Sequence, residues 1–239
     1  EVIISKTVTS IGNTIFDSNG KLKTLSIDKN NPSYRALEEG FGLVDKTTKT
    51  LIFGNETSVL SDDILHIGDN AFYNNKNVTV MNIPSSIQSI GNYAFYNCVN
   101  LEDITLNSNI TSIGDYAFYR CLKIISVDFV TFNKLTYIGA YAFNGCNNIE
   151  VISLPESLES IGSYAFSKCK ISEITMPILG QGIVQLFGTY DSMPSNLTTI
   201  NILSGDVPKD YFSSCKNVTT INLNKVTNIG EQAFIFCSS

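Results

Sequence analysis

Apolar and polar positions along this chain fall into a unit that recurs every 23 to 25 residues wherever consecutive copies are intact. One unit shows the whole pattern: Leu101-x-x-Ile104-x-Leu106, then Ile110-x-x-Ile113-Gly114-x-x-Ala117-Phe118-x-x-Cys121. Ile104 and Leu106 stand at alternate positions, as a short half-buried strand requires. Gly114 is expected to allow a positive φ or a close backbone approach at a bend, Ala117 to permit tight packing of the return segment, and Phe118 to fill the layer. The phrase Ile-Gly-x-x-Ala-Phe is intact six times, starting at Ile67, Ile90, Ile113, Ile138, Ile161 and Ile229. Weaker copies start at Ile11 and Val207, so that successive starts are separated by 56, 23, 23, 25, 23, 46 and 22 residues. Self-similarity at this period predicts one supersecondary unit stacked many times, each burying its apolar side against its neighbours.

The same phase predicts strands at Leu25–Ile27, Met81–Ile83, Val127–Phe129, Ile152–Leu154, Ile174–Met176, Ile200–Ile202 and Ile221–Leu223, with further ones at Val2–Ile4 and Leu51–Phe53. That is about ten repeats with a period of about 23, read as a single domain over residues 1–239. Two repeats are irregular. Residues 28–54 carry a polar Thr47-Thr48 turn between two extended pieces, and in 178–196 Leu186-Phe187 stands where Ala-Phe is expected. The chain stops after Cys237-Ser238-Ser239, where a further strand is due, and terminal repeats normally carry a polar cap, so a fragment of a longer chain is expected.

The unit resembles the leucine-rich repeats, and more closely the surface-protein subclass known as BspA-like repeats. Ile149–Pro155 and Leu158–Cys169 carry the resemblance best, and it extends over most of the chain. It implies an α/β-type repeat solenoid: a right-handed leucine-rich repeat with one parallel concave β-sheet and a mostly irregular or short-helical convex side. Residues 28–54 look like the longer repeat variant of that family. The resemblance also implies an extracellular or cell-surface location and attachment to host proteins, glycans or other cells.

Composition narrows the chemistry. A net charge of −6 with 16 dispersed Lys and Arg offers no basic stripe for phosphate backbones, so nucleic acid is not expected as a partner. No apolar run approaches the roughly 20 residues of a membrane-spanning helix. The six cysteines, Cys98, Cys121, Cys146, Cys169, Cys215 and Cys237, all follow the repeat Phe by three residues. Stacked on one ladder, parallel side chains do not reach the torsion a disulfide prefers, so a column of buried thiols acting as apolar filler is expected. Asn19 and Asn75 occupy the same column, which suits space filling or backbone bonding. No paired C-x-x-C suggests a zinc site, and no cofactor motif is present. His66, the one histidine, sits beside the repeat motif without a nucleophile motif around it, so it is read as a surface or turn residue and the chain as no enzyme.

Two columns are candidate interaction surfaces. Between the inward strand positions lie Ser26, Asn82, Thr105, Asp128, Ser153, Thr175, Asn201 and Asn222, all small and polar. They suit the wet side of a concave sheet and offer hydroxyl and amide groups to a ligand. The second is aromatic: Tyr93, Tyr116, Tyr141 and Tyr164 precede the repeat Ala, while Tyr73, Tyr96 and Tyr119 follow the Phe. Tyrosine is favoured at binding surfaces because it gives contact area at low entropic cost, but the preferred account of the pattern is a ladder of rings shielding the core. The functional expectation is a protein- or glycan-binding adhesion module. The alternative is a structural spacer with no ligand of its own.

Overall fold

A computed structural model describes residues 1–12 and 24–237 of the chain. It is a β-solenoid of about nine turns, held together by three ladders running along its length.

The first ladder is built from the predicted strands. Val2–Ile4 pairs with Leu25–Ile27, Val80–Asn82 with Asp103–Thr105, and Val151–Ser153, Glu173–Met176, Thr199–Ile202 and Thr220–Leu223 form a four-stranded sheet, all parallel. Register follows the repeat, with Ile174 opposite Ile200 and Ile200 opposite Ile221. Middle residues such as Met81, Ile104 and Ile152 are buried, and the residues on either side point to solvent. The expected strand at Val127–Phe129 is reduced to one bridge, Asp128 to Ser153. This is the repeat of 25 residues: the chain turns at once, Phe132 N donating to Phe129 O at 3.0 Å, and Phe132 packs edge-on to Phe129 at 5.3 Å.

The second ladder corrects the expectation of a single sheet. Residues read as a bend form an eight-stranded sheet, in which Ser160–Ile161, Tyr137–Ile138, Ser112–Ile113, Ser89–Ile90 and His66–Ile67 pair in parallel and Thr50–Gly54 follows. Each short strand turns one residue outward and buries its isoleucine, from Ile67 to Ile161. Two residues are too few for alternation to be recognised, although the recurrence of Ser-Ile is visible. The sheet ends in an antiparallel pair of connections, Thr50–Gly54 to Gly42–Asp45 to Tyr34–Ala36. Asp45 closes the expected turn by accepting from Thr47 N at 2.7 Å and Thr48 N at 3.0 Å, with Lys49 at φ 55°. Leu43 belongs to a small N-terminal core with Ile4 and Tyr34, whereas Val44 and Leu51 face the main core.

The third ladder lies on the turn side. Phe72 N donates to Ala94 O, Phe95 N to Ala117 O and Phe118 N to Ala142 O, each at 2.7 Å. Inside it the phenylalanines stack, Phe72 on Phe95 at 4.8 Å, then Phe118, Phe143 and Phe166 at 5.1 to 5.4 Å, all at most 1% exposed. Burial of each such ring contributes about 1.5–3 kcal/mol. Among the described residues helix is confined to Val184–Phe187 and a 3-10 turn at Tyr190–Ser192. Leu186 and Phe187 take the Ala-Phe place as expected, since Phe166 N donates to Leu186 O as Phe143 N does to Ala165 O. The turn side is therefore mostly hydrogen-bonded turns, with little helix, and the α/β character expected of the repeat is not seen.

Gly114 is explained by close approach. A Cβ there would lie 2.6 Å from Asn92 N and 2.7 Å from Gly91 C, main-chain atoms with nowhere to go. Positive φ falls elsewhere in the repeat, on the residue before Ala and the residue two after Phe, such as Tyr116 at 55° and Arg120 at 57°.

Candidate interaction surfaces

The tyrosines form two stacked columns. Tyr93, Tyr116, Tyr141 and Tyr164 follow one another at 4.9, 4.7 and 4.8 Å with planes within 6°. Tyr73, Tyr96 and Tyr119 do so at 4.8 and 4.9 Å, within 9°. The columns touch through tilted pairs, Tyr93 with Tyr96 at 5.7 Å and 53°, and Tyr116 with Tyr119 at 5.5 Å and 56°. Tyr93, Tyr116, Tyr141 and Tyr164 all hold φ between 55° and 62°, where Asn70 stands one turn earlier. That left-handed conformation costs about 1–2 kcal/mol for a residue with a Cβ. Each ring pair returns about 0.5–1.5 kcal/mol, so the stack carries the strain. The column ends on Gly188, whose φ of 117° lets its backbone lie against the Tyr164 ring. Burial, followed by the neighbouring tyrosines, raises the hydroxyl pKa of Tyr96 and Tyr116. Because faces cover faces, the strip offers ring edges and hydroxyls to solvent.

In the polar column of the first sheet Asn82, Thr105 and Asp128 are exposed and Ser153 and Thr175 half-buried. At its C-terminal end it bonds to itself: Asn222 Nδ2 donates to Asn201 Oδ1 at 2.6 Å, and Asn201 Nδ2 to Thr175 Oγ1 at 3.2 Å and Glu173 Oε1 at 2.7 Å. The sequence reading missed the companions of this column. Strand alternation puts residues i and i+2 on one side, so Val80 shares the outward face with Asn82 and Val151 with Ser153, each valine 53% exposed. Ile125 at 68% and Val130 at 69% flank Asp128. The signal was present in the alternation, but only the position between the apolar pair was followed.

The cysteine column holds thiols rather than bridges. Sγ of Cys98, Cys121, Cys146 and Cys169 donates to the Phe carbonyl one turn back, Phe72, Phe95, Phe118 and Phe143, at 3.1 to 3.3 Å. Burial pushes Cys98, Cys169 and Cys215 up to about 12, and Cys121 and Cys146 also well upward. Asn75 instead accepts from Asn77 N and Val78 N, and Asn19 lies outside the described residues.

A further column was not foreseen. Asp69 Oδ1 accepts from Asn92 N at 2.7 Å, Asn92 Oδ1 from Asp115 N at 2.8 Å, and Asp115 Oδ1 from Ala140 N at 2.8 Å. His66 lies in a strand, not a turn, its Nδ1 2.8 Å from Ser89 Oγ in a hollow of about 270 Å³ that Asp69 also lines. His66 bonds to Ser89 and Asp69 to Asn92, and no hydrogen bond joins His66 to Asp69. A second hollow of about 310 Å³ opens between Val184–Thr189 and Asp210–Ser213, where the turn ladder passes through Ile183 N to Tyr211 O at 3.3 Å. Among the described residues no group of three or more His, Cys, Asp or Glu is placed to hold a metal ion, and no helix is long and apolar enough to cross a membrane.

Comparison with known proteins agrees with this architecture. The pneumococcal vaccine antigen PcpA has a TM-score of 0.66 at 17% identity, over 95% of this chain and 55% of that one. A leucine-rich repeat protein of Eubacterium ventriosum scores 0.57 at 20% identity, over 98% and 57%. A leucine rich cell surface protein of Faecalibacterium prausnitzii scores 0.50 at 19% identity, over 86% and 80%. This chain thus spans little more than half the length of the first two. A search of curated protein sequences finds no match. The family model for the BspA type leucine rich repeat region matches in six copies, over residues 1–38, 65–187 and 188–239. Those repeats include all six intact Ile-Gly-x-x-Ala-Phe phrases, and the chain belongs to the BspA-type leucine-rich repeat family.

Proposed function

We propose that this chain is a non-enzymatic, extracellular binding module that uses the outward face of its first sheet to attach to a protein surface. The observation that carries the reading is the exposure of Val80, Ile125, Val130 and Val151, at 53 to 69%, around Asn82, Thr105 and Asp128. Apolar side chains set among polar ones on one face are the composition of a protein contact. The likeness to a pneumococcal antigen and to a cell surface protein supports a location outside the cell. The tyrosine columns are assigned to the scaffold, because their faces are spent on one another.

The test is binding of the purified chain to arrayed extracellular-matrix proteins and glycans, beside a Val80→Asp/Val151→Asp variant shown to be folded. Saturable binding to a protein, lost in the variant, is expected. Equal binding by both moves the contact to another face, and no binding by either supports the spacer reading.

A further inference from the structure

Stacked phenols are also a redox structure, and the oxidisable side chains of this chain are distributed unevenly. The sequence has no Trp. Five of the six thiols are buried, and those five are held protonated by their surroundings, which removes the thiolate that oxidants attack. Of the three methionines, Met81 and Met176 are at most 4% exposed and Met193 is partly buried. Tyr34 and Tyr211 are buried, and each hydroxyl accepts a main-chain N–H, from Ile11 and Leu179. Seven of the eleven tyrosines stand in the two columns, with Tyr93 37% exposed and the others half-buried.

We infer that the tyrosine columns are a site of one-electron oxidation and that the tilted pairs Tyr93–Tyr96 and Tyr116–Tyr119 are where it ends, in an intramolecular carbon–carbon cross-link. The oxidant class is a peroxide-driven haem peroxidase. Each of two phenols gives up one electron to the enzyme and its hydroxyl proton to water, leaving two tyrosyl radicals. Face-to-face rings 4.7–4.9 Å apart let a radical pass along a column by electron and proton exchange. Parallel faces suit this exchange but not bond formation, since a biaryl bond joins ring edges with the planes twisted. The tilted pairs, at 53° and 56°, supply that twist. Their ring carbons ortho to the hydroxyls join, and each ring then moves its ortho hydrogen to the phenol oxygen and becomes aromatic again. The balance is one peroxide and two phenols to one linked bisphenol and two waters.

The experiment treats the chain, at a concentration where it is monomeric, with hydrogen peroxide and a haem peroxidase. It reads dityrosine fluorescence and, by peptide mass spectrometry, links that have lost two hydrogens. The expected result is a monomeric product linked at Tyr93–Tyr96 or Tyr116–Tyr119. A Tyr96→Phe/Tyr119→Phe variant keeps the stacked rings and the fold, checked by circular dichroism, and is expected to lose at least ten-fold of the intramolecular link. Links found only between molecules, links centred on Tyr137 or Tyr190, or an undiminished yield in the double variant would overturn the assignment.

Discussion

The side-chain carbonyl of Asn92 accepts the main-chain N–H of Asp115, one turn further along, at 2.8 Å. It gives this N–H of the bend a side-chain acceptor on the preceding turn. Such a bond contributes about 1 kcal/mol, and Asn92→Ala is expected to lower stability by about that amount in urea titration, with the slope unchanged.

Gly114→Ala tests the close approach itself. The added methyl meets main-chain atoms of the preceding turn at 2.6 and 2.7 Å. Overpacking of this kind costs about 1–3 kcal/mol. An unfolding midpoint equal to that of the parent would show that the turns are spaced more widely than described.

The tyrosine columns invert a familiar ranking. Tyr141 stacks on Tyr116 at 4.7 Å and on Tyr164 at 4.8 Å, with φ at 57°. Tyr141→Ala loses both ring contacts and keeps the strain, so a loss of about 1–3 kcal/mol is expected. Tyr141→Gly loses the same contacts but recovers about 1 kcal/mol of left-handed strain, so the glycine variant should melt above the alanine variant.

The thiol column predicts an alkaline limit. Burial raises the folded pKa of Cys98, Cys169 and Cys215 to about 12 and that of Cys121 and Cys146 well upward. An unfolded thiol ionises near 8.5, so above that pH the unfolded state binds fewer protons and stability falls as pH rises. The contribution is complete below pH about 8.5 and is lost toward pH 12, at up to about 1.4 kcal/mol per pH unit for each thiol. Denaturation midpoints followed from pH 7 to 11 check this. Thiol reagents at neutral pH should label Cys98, Cys121, Cys146 and Cys169 only on unfolding.

Much of this architecture was legible because it repeats. A single Leu-x-x-Ile-x-Leu is weak, but recurrence placed the strands at Leu25–Ile27 and Thr199–Ile202 within a residue or so. The second sheet was hidden because Ser112–Ile113 is two residues long and its partners lie 23 and 25 residues away. Of the two roles expected for Gly114, a positive φ or a close approach, the close approach holds, and left-handed backbone falls on Tyr93 and Tyr116, where stacking overrides the backbone preference that sequence reading relies on. The face around Val80 and Val151 was obscured for a different reason: a β-branched residue in a strand reads as core unless its phase is followed.

The hairpin of Gly42–Asp45 and Thr50–Gly54 lies between two separate apolar interiors, with Leu43 turned to one and Val44 and Leu51 to the other. In a stack where each layer leans only on its neighbours, unzipping from an end proceeds turn by turn. Here it meets a partition whose own strands are bonded to each other in the opposite sense. Loss of the layers around Ile4 and Tyr34 then bares one side of this wall and leaves the long interior behind it sealed.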